Sequence, residues 1–85
     1  MKYTTAENYQ LMKREILIKF GKRVRKERTR LGLSQEELAN RAGVHRTYVG
    51  MIERAEKNIT LGNIEKIAKA LEISVDNLLK LDNVS

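Results

Sequence analysis

The segment Leu33–Arg54, LSQEELANRAGVHRTYVGMIER, constrains the fold most tightly. It reads as two short helices joined by a tight glycine turn. Ser34 suits an N-cap with Glu37 three residues on, the pattern of a capping box. Leu38 and Ala39 supply the apolar side of the first helix. Gly43 stands where that helix must stop, and glycine takes the left-handed conformation at low cost. Val44, Val49 and Ile52 resume the apolar pattern at helical spacing. Between them the polar run His45-Arg46-Thr47-Tyr48 opens the second helix.

The rest of the chain also reads as helix. It has no proline, no low-complexity tract and no repeat, and β-branched residues never alternate usefully with polar ones. Five helices are predicted, an all-α compact domain in which the pair above are helices two and three. Helix one is expected to begin near Thr4, where Thr4 and Glu7 repeat the capping-box pattern, and to end at Gly32. Tyr9, Met12, Ile16, Phe20 and Val24 form its apolar stripe, widened by Leu17 and Leu31. Gly21 interrupts the stripe and marks a kink or break, because glycine costs roughly 1 kcal/mol against alanine inside a helix. After the loop Ala55–Ile59, helix four follows Thr60 and carries Leu61, Ile64, Ile67, Ala68 and Leu71 inward. Helix five follows Ser74 and carries Val75, Leu78 and Leu79, with Leu81 beyond. Caps and apolar periodicity agree at Ser34, Thr60 and Ser74, which strengthens the assignment. Residues 1–15 read as an N-terminal extension continuous with helix one, 16–81 as the domain, and 82–85 as a short tail.

Composition removes several function classes. An 85-residue chain holds one small domain, and 41% hydrophobic residues suffice for a core. Without cysteine there are no disulfides or thiolate sites, and a single histidine builds no ordinary metal centre. No metal or cofactor is expected. No second histidine or glycine-rich phosphate loop is present, so no enzymatic activity is expected either. No apolar run approaches ~18 residues, and MKYTTAENYQLMK lacks the apolar core of a signal peptide. No membrane association is expected, and the cytoplasm is the default compartment. The net charge of +6 is unevenly placed. Residues 1–33 hold ten Lys/Arg against three Asp/Glu, with Lys19, Lys22, Arg23, Arg25, Lys26, Arg28 and Arg30 in one stretch. Charge alone fits either a footprint for a phosphate backbone or a solvated helix face with a basic bias.

With these residues in hand, the chain resembles the Cro/phage-repressor (Xre-type) helix-turn-helix family. The matching features are Arg28…Leu31-Gly32-Leu33-Ser34-Gln35-Glu36-Glu37-Leu38-Ala39, Ala42-Gly43-Val44 and Ile52-Glu53-Arg54. The tail Leu61…Ile64…Ile67-Ala68-Lys69-Ala70-Leu71…Ile73-Ser74-Val75…Leu78-Leu79 also fits. The likeness covers about residues 16–81. Within the family, Arg46-Thr47-Tyr48 followed by Ile52-Glu53-Arg54 is similar to the controller proteins of restriction–modification systems. Two departures stand out. Ala55 occupies a position where the family often has glycine, so the helix-three exit is expected to differ. The extension before Ile16 is longer than the bare domain needs.

The resemblance implies a five-helix repressor-like domain, a homodimer, and binding of double-stranded DNA at an inverted repeat. Arg46, Thr47 and Tyr48 are the candidate base contacts. The Arg46 fork can bond guanine O6 and N7 together, worth ~1–3 kcal/mol of discrimination; a phosphate contact is its plainer role. Thr47 is otherwise a solvent-facing residue, and Tyr48 otherwise packs beside the turn. Gln35, Ser34, His45, Arg54, Lys57, Asn58 and Thr60 are the candidate backbone contacts, with Gln35 anchoring a helix N-terminus to phosphate. His45 also suits the N-cap of helix three. Arg28 and Glu53 are assigned as a structural ion pair, which takes Arg28 out of the DNA-binding set. Val75, Leu78, Leu79 and Leu81 form either a dimer interface or simple closure of the core. Glu36 is a candidate contact for RNA polymerase. No small-molecule effector is expected. The rival reading is an antitoxin or interaction protein whose key partner is another polypeptide, held by helix five or the N-terminal extension.

Overall fold

The computed structural model describes the backbone of residues 6–82 and the side chains of residues 14–82. Its five helices are α1 (Ala6–Arg30), α2 (Gln35–Ala42), α3 (Arg46–Glu53), α4 (Leu61–Ala70) and α5 (Val75–Leu78). The described residues contain no strand. Phe20 and Val24 of α1 meet Leu38 and Ala39 of α2, Val49 and Ile52 of α3, Ile67 of α4, Leu71 at the α4 C-cap, and Leu78 of α5 in one buried cluster. Removing these apolar side chains from water supplies the main driving force for folding.

Serine or threonine caps three of the helices, as the sequence predicts. Ser34, Thr60 and Ser74 accept the backbone N–H groups of Glu37, Asn63 and Asn77. Ser34 and Glu37 close a full capping box, at 3.0 Å from Glu37 N to Ser34 Oγ and 2.9 Å from Ser34 N to Glu37 Oε1. The Ser34 N–H bond to the ionised carboxylate, with the Ser34 hydroxyl beside it, holds the Glu37 carboxyl below its ordinary pKa.

Four helices end in the same hydrogen-bond pattern. Gly32, Gly43, Ala55 and Glu72 each take positive φ, at 70°, 70°, 61° and 62°. Around each, one N–H turns back to a carbonyl three residues earlier and the next reaches five residues back. Ala55 N to Ile52 O at 3.1 Å and Glu56 N to Met51 O at 2.8 Å form the pair that ends α3. This is the Schellman closure, in which left-handed backbone satisfies the last carbonyls. The exit of α3 is therefore not rebuilt where alanine replaces glycine: Ala55 adopts the left-handed conformation itself.

Three expectations need correction. Gly21 neither kinks nor breaks α1, which runs unbroken to Arg30. A Cβ at Gly21 would lie 2.5 Å from Ile52 O and 2.9 Å from Glu53 O, so the glycine lets α1 cross the end of α3 at close range. Ile16 is 55% exposed rather than on the core stripe. Leu61 is 77% exposed because it opens α4, where no other element covers it. The side chains of Tyr9 and Met12, and all of Thr4, lie outside the described residues.

The basic stretch of α1 is only partly surface. Arg23 donates from Nη1 to Lys80 O at 2.8 Å and from Nη2 to Asn77 Oδ1 at 3.2 Å, clamping the C-terminal segment. Its Nε lies 3.3 Å from Glu27, outside hydrogen-bonding geometry. Glu27, buried on α1, also receives Arg30 Nε at 2.9 Å. Lys19, Lys22, Arg25 and Lys26 remain exposed.

Candidate nucleic-acid interface

The geometry of α3 follows from its two ends. His45 is the N-cap, its Nδ1 accepting Thr47 N at 3.1 Å. Val49 and Ile52 sink one face of α3 into the core. The opposite face therefore points outward, and Arg46 and Thr47 on its first turn are exposed. Gly50, one turn on from Arg46, leaves a gap there. A Cβ at Gly50 would stand 3.0 Å from Arg54 Nη1 and 3.4 Å from Gln35 Oε1. An open cleft of about 610 Å³ results, lined by Arg28, Ser34, Gln35, Glu36, Arg46, Thr47, Gly50 and Arg54. Gly50 was not among the residues predicted for the site, because a missing side chain leaves no chemical signature.

One carboxylate locks this face. Glu53 accepts Arg28 Nε at 2.7 Å on Oε2, and Arg28 Nη2 at 2.9 Å on Oε1. Gln35 Nε2 donates to the same Oε1 at 3.1 Å. Arg28 Nη1 donates to Leu33 O at 2.7 Å. The Arg28 and Glu53 side chains are 12% and 5% exposed, so this paired fork joins α1, the α1–α2 turn, α2 and α3 in a poorly hydrated place. The hydrogen bond to Glu53 holds the Arg28 pKa above its ordinary value. Gln35 is thus fixed through its amide at the N-terminus of α2, where free backbone N–H groups and the helix dipole favour an anion.

The remaining predicted residues divide by what already occupies them. Arg46 Nη1 sits 3.6 Å from Glu36 Oε2, with both side chains more than half exposed, a weak and easily exchanged pair. Tyr48 is half-buried, and its hydroxyl accepts Asn63 Nδ2 at 3.0 Å, tying α3 to α4. Ser34, His45 and Thr60 are engaged as caps. Arg54 is exposed, with Nε 3.0 Å from Glu56 Oε2, and Lys57 and Asn58 are exposed beside it.

The apolar end behaves differently from its prediction at one position. Leu78 is fully buried in its own core and offers no surface to a partner. Leu79 is 40% exposed, while Val75 and Leu81 are partly buried. Leu79 and Leu81 join Ile16, Leu17, Phe20 and Ile59 around an apolar cleft of about 230 Å³. No described helix is long and apolar enough to cross a membrane.

Comparison with known proteins fits this architecture. A helix-turn-helix family model matches residues 24–78. The control protein C.BamHI of Bacillus amyloliquefaciens is 42% identical over 74 residues, covering 86% of this chain and 91% of that protein. C.SmaI of Serratia marcescens is 52% identical over 56 residues, 66% of this chain and 67% of that one. Among solved structures, the restriction-modification controller protein C.AhdI from Aeromonas hydrophila superposes with a TM-score of 0.72 at 52% identity, covering 73% of this chain and 94% of its own. The chain belongs to the Xre-type helix-turn-helix family, in the company of the restriction–modification control proteins.

Proposed function

We propose that this chain is a sequence-specific DNA-binding transcription regulator, acting as a homodimer on an inverted-repeat operator and controlling a restriction–modification operon. It is a regulator and not an enzyme. The observation that carries this reading is the outward face of α3. Arg46 and Thr47 stand exposed there beside Gly50, while Val49 and Ile52 fix the opposite face in the core. Arg46 reads a base edge in the major groove, and Thr47 offers a hydroxyl and a methyl group beside it. Gln35, Arg54, Lys57 and Asn58 flank the groove and contact phosphates, which set register without specifying sequence.

One protomer presents one α3, so a two-fold dimer reads two half-sites about one helical turn, ~34–36 Å, apart. Leu79, Leu81 and Ile16 form the self-association surface in this reading, since exposed Ile16 and Leu79 and partly buried Leu81 line one apolar cleft. The protein works where the DNA is, in the cytoplasm. Glu36 is its contact for RNA polymerase. Its pairing with Arg46 means that Glu36→Lys must be scored for transcription and for DNA binding together.

Footprinting the DNA upstream of the chain's own gene tests the reading. A symmetric protected site that disappears with Leu79→Asp, as sedimentation shifts to monomer, supports it. No protected site, or one occupied equally well by a monomeric Leu79→Asp, contradicts it.

A further inference from the structure

A second cleft, of about 690 Å³, lies beyond the C-terminal end of α3. One wall is α1, with Arg14, Leu17 and Ile18; the other is the segment Arg54–Asn58. The two walls meet because Gly21 brings α1 against the last carbonyls of α3. The cleft holds three cations, Arg14, Arg54 and Lys57, against one carboxylate, Glu56, which already pairs with Arg54. Arg14 and Lys57 are exposed and have no acidic partner among the described residues. Arg54 lines both this cleft and the one on the face of α3, so the two are neighbours.

We infer that Arg14 on α1 extends the phosphate-contacting α3–α4 loop into a two-sided clamp, in which Arg14 and Lys57 together hold a phosphate flanking the half-site read by α3. The inference rests on the DNA-binding reading above and adds to it a contact from the N-terminal half of α1. Three cations around a single carboxylate give a local excess of positive charge. Leu17 and Ile18 form the apolar side of the cleft, on the same helix as Arg14. A phosphate demands charge more than a particular donor geometry, so arginine and lysine serve equally at position 14. The clamp raises affinity for every sequence by the same factor and leaves base preference to α3.

The probe is the operator duplex recovered by selection from random DNA, made once with flanks of about one helical turn and once trimmed to its half-sites. Binding is measured across a salt series for the wild type, Arg14→Ala and Arg14→Lys. The wild type binds the flanked duplex more tightly than the trimmed one. Arg14→Ala binds both alike, with the slope of log affinity against log salt shallower by ~0.9 for each phosphate released, ~1.8 for a dimer. Arg14→Lys restores slope and flank dependence, and all three variants select the same sequence. Unchanged slope and flank dependence in Arg14→Ala, with Arg46→Ala still abolishing selection, overturns the clamp and leaves the regulator reading intact. A wild type that binds no duplex overturns both. Loss of dimerisation in Arg14→Ala, with its salt slope per bound protomer unchanged, reassigns the cleft to a protein interface and also overturns the clamp.

Discussion

Replacing Ala55 by glycine stabilises this protein, although glycine destabilises most positions near a helix. Ala55 sits at φ 61°, in a conformation that its Cβ disfavours. Left-handed backbone costs an L-residue roughly 1–2 kcal/mol. Glycine returns part of that gain, because it adds roughly 0.4–1 kcal/mol of chain entropy to the unfolded state. The net is a stabilisation of about 0.5–1 kcal/mol, or about 2–8 °C in Tm for a domain of this size. The molecule contains its own controls. Gly43 closes α2 with the same hydrogen-bond pattern at φ 70°, and a Cβ there meets nothing within 4 Å. Gly43→Ala therefore isolates the backbone cost and lowers Tm by a similar amount. Thermal denaturation followed by circular dichroism, at one fixed protein concentration, reads both changes. A Tm for Ala55→Gly equal to or below that of the wild type, beside a clear loss in Gly43→Ala, refutes the claim that Ala55 is strained.

Further expectations follow from the packing and the charges. Gly21→Ala places a methyl group against two backbone carbonyls of α3, at 2.5 and 2.9 Å from an unshifted Cβ, and lowers stability by about 1–3 kcal/mol in a denaturant titration despite the better helix propensity of alanine. Glu53→Ala strands the Arg28 guanidinium, whose side chain is 12% exposed, and costs about 3–5 kcal/mol by the same assay. Glu37→Gln tests the capping box by pH. The folded-state pKa of Glu37 is depressed, so its contribution is fully present above the ordinary value of 4.5 and is lost as pH falls through the lower folded value. The stability gap between wild type and Glu37→Gln is therefore open at pH 7 and closes in acid; a gap of constant size at every pH contradicts the assignment.

The residues that were legible in the sequence act locally. Ser34, Thr60 and Ser74 cap helices through bonds to residues three positions away, so spacing alone announces them. Buried positions such as Val24, Leu38 and Ile67 follow helical periodicity. What stayed hidden depends on contacts between distant parts of the chain. Gly21 looks like a helix breaker until the carbonyls of Ile52 and Glu53 are seen to pass over it. Leu61 keeps the apolar pattern of α4 but lies on its first turn, with nothing above it. Leu78 and Leu79 are neighbours in sequence, yet the short α5 buries one and exposes the other. Gly50 and Arg14 line clefts that form only when α1, α2, α3 and the α3–α4 loop come together.

The central claim is that the exposed first turn of α3 reads base sequence. Selection from random duplex DNA at about 150 mM salt, a stringent condition for phosphate-driven binding, tests it directly with the wild type and Arg46→Ala in parallel. The account predicts an inverted-repeat motif for the wild type, and loss of information at symmetric positions of both half-sites for Arg46→Ala. A motif that survives Arg46→Ala unchanged, or no enriched motif at all, contradicts it.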